Sequence, residues 1–503
     1  MKNLLEIIKI VTKKKVKKIE IFDDQVLKNK TGKFNEFYEA LSAGRLKNDR
    51  DAATLLYDCS PQDPKYRQLK SRFRKRLLNT IFFLDINQPS SGDYNRAYFN
   101  CNKEWALVKI LLHYGAVQTA NSMARHILTT AQKYHFSDLI VNCCRILRQQ
   151  AAAAGADKDF AKYNEIIQDF EPILSAELKS EEAYQKVILA YQKPLSTKSN
   201  LEEELSTFSE ELVSLSEDYN SPVISYNMYL VWAMRFELSK EFDTMLEVCN
   251  RAEQYMDDNP NYYQEEKLIA IQNKKMSAFL HKQDYRQGKI NAEKCLKRFP
   301  AGSEPWFNFM ERYLLLALHT ENYINALAIL NQATTHSGLR KLDQSVREKW
   351  AIYAGYVGFF GAIQGFGAAL QVKPNSRIFR PSRYFSQPET YPKSHRNYAI
   401  LLLILEVLEL ANRKSLLELD DRMEKLKQFA LRQLNKEEHF RPVQFIRLIQ
   451  QLKKADYDVA NLKNVDKYLS QLKERPFFYR GAIAELEIIP YEKLWEIILK
   501  QYS

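Results

Sequence analysis

The stretch QDYRQGKINAEKCLKRFP, residues 283–300, sets the reading of the whole chain. Tyr285, Gly288, Ala292 and Cys295 recur at three- and four-residue intervals, which places them on one face of a helix, and Pro300 follows where that helix has to stop. Small residues on that face let a second helix approach closely. Two neighbouring stretches repeat the arrangement. KEFDTMLEVCNRAEQY (240–255) has Phe242, Met245 and Ala252, preceded by Trp232, Ala233 and Phe236; ENYINALAILNQATTHSG (321–338) has Tyr323, Ala326, Leu330 and Ala333, preceded by Leu314. The equivalent positions Met245, Gly288 and Ala326 are 43 and 38 residues apart, so each unit is long enough for a helical hairpin.

An aromatic near the helix start, small residues seven apart and a closing proline resemble the second helix of the tetratricopeptide repeat, whose usual period is about 34 residues. Fainter echoes surround Ala120 and Phe160, so the resemblance covers residues from about 100 to 336. It implies a right-handed α-solenoid of helical hairpins with a groove that docks a protein or peptide without catalysis. The family's peptide contacts are Asn, Lys and Arg on first helices, which correspond here to Asn273, Lys274 and Lys275 or to Asn308 and Arg312. The alternative is an α-helical solenoid outside that family.

Composition agrees with an all-α fold. The chain has 503 residues, with only 14 glycines and 16 prolines to supply the tight turns that sandwiches, barrels and nucleotide-binding α/β folds require. Hydrophobic residues make up 45% and charged residues 27%, as in an ordinary folded, water-soluble protein. The six cysteines form no CxxC pair, and the first residues lack the long apolar run and small-residue cleavage site of a secretory signal. A reducing, cytoplasmic location is expected.

The net charge of +12 is unevenly placed. Residues 1–84 hold 20 Lys/Arg against 10 Asp/Glu, and residues 368–398 hold six against one. The remainder is slightly acidic. In the basic head, a β-prone stretch (17–24) precedes three apparent helices, FNEFYEALSAG (34–44), RDAATLLY (50–57) and PKYRQLKSRFRKRLLNTIFFL (64–84). Tyr66, Leu69, Phe73 and Leu77 form the apolar stripe of the last, flanked by Arg67, Lys70 and Arg74 on one side and by Lys65, Arg72 and Arg76 on the other. Either flank suits a phosphate backbone. The order resembles a winged helix-turn-helix, although the linker DCSPQDP is longer than a compact turn. A helical cap closing the end of the solenoid is the other reading.

Four regions follow: a basic head (1–90), repeats (91–365), a basic aromatic loop (366–398) and a C-terminal helical region (399–503). In the loop, Arg377, Arg380 and Arg383 alternate with Phe379, Tyr384, Phe385 and Tyr391 among four prolines. So many aromatics imply docking on the solenoid or on a partner. Before it, residues 351–372 carry no charge; Gln364, Gln371 and five glycines favour a buried helix pair over a membrane span. No GxxxxGKS/T loop, GxGxxG turn, HExxH helix or GxSxG elbow occurs, and the histidines lack metal-ligand spacing. Neither catalysis, cofactor nor metal is expected. The sequence thus points to a scaffold that binds a protein partner through the repeat groove; the alternative is a nucleic-acid-binding regulator that uses the head.

Overall fold

A computed structural model of the chain describes residues 1, 3–5, 7–8, 32–81, 93–192, 201–363, 379–385, 391, 395–481 and 483–502. The described residues are helical with connecting turns, and no strand occurs among them. The β-prone stretch at 17–24 and most of the basic aromatic loop, Arg377 included, lie outside them. The chain forms two compact units, Met1–Phe170 and Glu171–Ser503.

The first unit begins with α1 (Lys33–Ser42), α2 (Asp49–Tyr57) and α3 (Pro64–Ile81). The Asn48 side chain accepts a hydrogen bond from the Asp51 amide and so caps α2, while Asp58 ends it in the left-handed conformation at φ 48°. Ala52 and Ala53 on α2 are wholly buried, and Phe37 and Phe73 meet with ring centroids 4.8 Å apart. Next come α4 (Asp93–His113), α5 (Val117–Tyr134), α6 (Ser137–Ala153) and the start of α7 (Asp157–Tyr191); α5 packs on α4 and α6 on α5, and all four contribute to one apolar cluster. Ala120, Ala124 and Ala131 of α5 are fully buried, as are Cys143 and Cys144 of α6. Burial pushes the Cys143 and Cys144 thiols up to about 12 and about 11, so both stay protonated core residues near neutral pH.

The second unit takes the rest of α7, then α8 (Leu201–Asp218), α9 (Pro222–Leu238), α10 (Phe242–Asp258), α11 (Glu265–Lys282), α12 (Tyr285–Leu296), α13 (Glu304–His319) and α14 (Tyr323–Thr335). It continues with α15 (Gln344–Ile363), α16 (Arg396–Arg413), α17 (Leu416–Gln433), α18 (Phe440–Lys454), α19 (Val465–Glu474) and α20 (Tyr491–Tyr502). Neighbours in sequence pack as neighbours in space, and α9, α11 and α13 also touch in succession, forming one layer with α10, α12 and α14 outside it. The small residues explain the pairing. A Cβ added to Gly288 on α12 would sit 2.2 Å from Leu316 Cδ2 and 3.2 Å from Phe279 Cβ, so any side chain there would displace Leu316 and crowd α11. Met245, Ala252, Ala292, Ala326 and Ala333 are completely buried at the corresponding contacts.

One apolar core runs from α11 to α20. Helix α13 is buried on all sides from Tyr313 to Leu318, and α15 is enclosed from Trp350 to Val357, which accounts for the uncharged composition of that stretch. Among the described residues no helix is long and apolar enough to cross a membrane. Between α19 and α20 the chain crosses the unit as an irregular strap. His281 Nε2 lies 3.2 Å from the Tyr479 carbonyl and His319 Nε2 2.8 Å from the Glu487 carbonyl, while the Asn397 amide donates to the carbonyls of Ile483 and Leu486 at 2.6 and 2.9 Å. The ring of Phe477 packs 4.3 Å from His319.

Candidate functional site

Asn308 and Arg312 sit one turn apart on α13, a spacing that sends both side chains the same way. Asn273 of α11, Lys349 of α15 and the end of α7 at Tyr191 and Gln192 face the same space, and Tyr479, Arg480 and Gly481 of the strap close it. The result is a polar cleft of about 430 Å³ inside the second unit.

Its wall is a charge network with few free partners. The buried Glu311 carboxylate accepts from Lys349 Nζ at 2.5 Å on Oε2, and from the Tyr353 and Tyr479 hydroxyls at 2.9 and 2.8 Å on Oε1. Burial would raise its carboxyl, but Lys349 outweighs that and holds it below the usual range, while burial pushes both tyrosines well above theirs. Arg480 donates from Nε to Glu485 at 2.9 Å and from Nη1 to the Tyr191 carbonyl at 2.8 Å. Arg312 stands differently. Its Nη1 donates to the Asn308 carbonyl at 3.1 Å, its Nε is buried without an acceptor, and no carboxylate among the described residues lies at ion-pair distance. The Asn273 Oδ1 is also buried without a donor. Gly481 adopts φ +109°, a conformation open to glycine, and a Cβ there would come 3.4 Å from Arg312 Nη2.

Of the partner-binding residues expected from sequence, Asn273, Asn308 and Arg312 converge on this cleft. Lys274 does not line it: its ammonium pairs with Glu237, takes Tyr191 as a hydrogen-bond partner at 2.9 Å and lies over that ring at 4.3 Å. Lys275 pairs with Glu253 at 2.8 Å. Arg380 and Arg383 are exposed and stand apart from the cleft, Arg383 over the ring of Tyr384 at 5.6 Å. The loop's described aromatics are docked, with Phe379 buried and stacked on Tyr384 at 5.1 Å, and Phe385 and Tyr391 packed on the core. Lys349, Tyr479 and Arg480 escaped the sequence reading. The only local signal was the run PFFYRG (476–481), whose arginine-aromatic composition matches that of the loop.

A second opening, an aromatic groove of about 420 Å³, runs between α8, α9 and α10. Trp232, Phe236, Val213 and Val248 supply its apolar floor, and Glu210, Glu217, Glu247, Arg235 and Arg251 its charged rim. In the first unit, Trp105, Lys109, Arg145, Arg148 and Phe160 line a cleft of about 470 Å³; Lys109 lies over the Trp105 ring at 5.3 Å and Arg148 donates to Asn164 at 2.7 Å.

On α3, Lys65, Arg67, Arg72 and Arg74 are exposed, with Lys75 between the two flanks. Lys70 and Arg76 serve the fold. Lys70 Nζ reaches Asp49 Oδ1 at 2.6 Å, the same oxygen to which Tyr66 donates at 2.6 Å, tying α3 to the start of α2. Arg76 lies over the Phe34 ring at 5.1 Å. Burial raises the Asp49 carboxyl, and the bonds from Lys70 and Tyr66 overcome it, holding it at about 2. Compared with known proteins, the chain matches no protein-family model, no curated protein and no solved structure.

Proposed function

We propose that this chain is a non-enzymatic cytoplasmic scaffold, a right-handed tetratricopeptide-like solenoid whose repeats bind a protein partner. The observation that carries the reading is the aromatic groove, where Trp232 and Phe236 lie half-buried between consecutive helices under a rim of both charge signs. A half-buried tryptophan in a concave, charge-rimmed groove is the surface on which a few residues supply most of a binding energy. The occupant that fits is a protein segment with an apolar side chain flanked by charges. Affinity capture with the full chain, followed by titration of the captured partner, tests this. Trp232→Ala should weaken binding by about 2 kcal/mol, roughly thirtyfold, and Arg251→Glu should shift its salt dependence. Unchanged binding in both variants, with folding retained, removes the groove from the account.

A second reading has its own support in the head, where Lys65, Arg67, Arg72 and Arg74 are exposed on one helix. It makes the chain a nucleic-acid-binding regulator. Binding of DNA or RNA should then fall steeply with salt and disappear when Arg67, Arg72 and Arg74 become Glu. Salt-independent or absent binding discards it.

A further inference from the structure

Unlike the aromatic groove, the polar cleft carries cations on three separate elements: Arg312 on α13, Lys349 on α15 and Arg480 on the strap. Two of them are neutralised within the fold. Lys349 faces Glu311, whose other oxygen is held by two tyrosine hydroxyls, and Arg480 faces Glu485. Arg312 is left as one surplus positive charge, with its Nε buried without an acceptor and its Nη2 beside the bare Cα of Gly481. A buried guanidinium N–H without an acceptor is costly. On α11, in the lining of the same cleft, the Asn273 Oδ1 is buried and lacks a donor. The two unmet demands are complementary in kind, one for an oxyanion and one for a hydrogen-bond donor.

The strap limits what can enter. The carbonyls of Tyr479, Ile483, Leu486 and Glu487 already hold the side chains of His281, Asn397 and His319 on α11, α16 and α13. An extended peptide would need that same layer, and the chain's own strap occupies it. A cleft of about 430 Å³ matches the size of a small-ligand site. We infer that the polar cleft binds a small free molecule that bears a carboxylate or phosphate beside a hydroxyl or amino group, with the oxyanion on Arg312 and the donor on Asn273. The site is distinct from the aromatic groove, so the two assignments stand or fall separately.

Calorimetric titration of the full chain tests it with two series of probes. The carboxylate series is malate, aspartate and succinate; the phosphate series is glycerol 3-phosphate, phosphoserine and inorganic phosphate. One hydroxylated or aminated member should bind with one-to-one stoichiometry, and the series it comes from identifies the oxyanion. Arg312→Gln should weaken that binding by about tenfold or more, as loss of a charge-assisted contact does. Asn273→Leu should erase the preference over succinate or inorganic phosphate while leaving those two unaffected. Arg312→Lys, which keeps the charge but lacks the fork of donors, should weaken binding as well and gives a second variant should Arg312→Gln fail to fold. No binding of any probe by the wild-type chain at about 1 mM, or unchanged affinity in the folded variants, overturns the inference. So does tighter binding of a short acidic peptide than of every free probe. Partner capture sensitive to Trp232→Ala but not to Arg312→Gln would leave the scaffold reading intact whichever way the titrations fall.

Discussion

The aromatic groove and the polar cleft are nearly equal in size, at about 420 and about 430 Å³, yet they are assembled by different means. The groove is local: its lining runs from Ser209 to Arg251 on three consecutive helices. The cleft draws on residues from Tyr191 to Gly481, and its charges are fixed by partners far apart in sequence, as when Tyr479 reaches Glu311 across 168 residues. Repetition of short hairpins therefore makes shape, whereas long-range cross-links place charge. In the groove a charged residue is a rim feature in water. In the cleft it is a structural member.

The largest expected consequence is in stability. Glu311→Ala would strand the Lys349 ammonium and two buried hydroxyls, and should destabilise the second unit by about 3–5 kcal/mol in chemical denaturation. Glu247→Ala, on the exposed rim of the groove, should stay within about 0.5 kcal/mol. Similar losses for the two would break the contrast.

Acid should act on the strap next. Burial depresses the His319 imidazole to about 4, and its neutral Nε2–H donates to the Glu487 carbonyl. The unfolded chain takes up that proton near 6.5 and the folded chain only near 4, so stability declines as pH falls from about 6.5 and is lower by about 3 kcal/mol at pH 4. Burial lowers the His281 imidazole as well and adds to the same decline. The head behaves differently. Asp49, at about 2 instead of 3.8, contributes stability at all pH values above 3.8, and this is lost only as pH falls from 3.8 towards 2. Thermal unfolding at pH 7, 5 and 4 should show the wild-type chain losing stability relative to His319→Gln as the pH falls. A difference between the two that stays constant over that range would contradict the buried neutral imidazole.

The smallest effect is the same contrast on one helix. Lys70 is tied to Asp49 and should cost about 1 kcal/mol on truncation to Ala, whereas exposed Arg67 should cost less than about 0.5 kcal/mol. Equal losses in urea titrations would mean that the tie adds nothing beyond an ordinary surface contact.

Much of this fold was legible because its signals are short-ranged. The stretch 283–300 reads as a helix from its own spacing, and α12 spans Tyr285–Leu296 with the Asp284 side chain capping the Gln287 amide. The head helices read at 34–44, 50–57 and 64–84 appear as Lys33–Ser42, Asp49–Tyr57 and Pro64–Ile81. Of the site, Asn273, Asn308 and Arg312 were legible by their place on first helices. Lys274 was read as a ligand contact, but its partner Glu237 lies 37 residues upstream and nothing in the local pattern marks the pair.

The sequence by itself determined the helices, their pairing by small residues and the uneven distribution of basic charge, because each depends on residues within a few turns of one another. The tertiary structure alone decided that residues 477–481 and 483–487 would meet α11 and α13, that Lys70 and Lys274 would be engaged within the fold, and that Arg312 and Asn273 would line one cleft with an unmet Nε and an unmet Oδ1. Those outcomes are differences between desolvation and pairing energies at particular points in space, and a pairing energy exists only once chain segments hundreds of residues apart have been brought to hydrogen-bond distance.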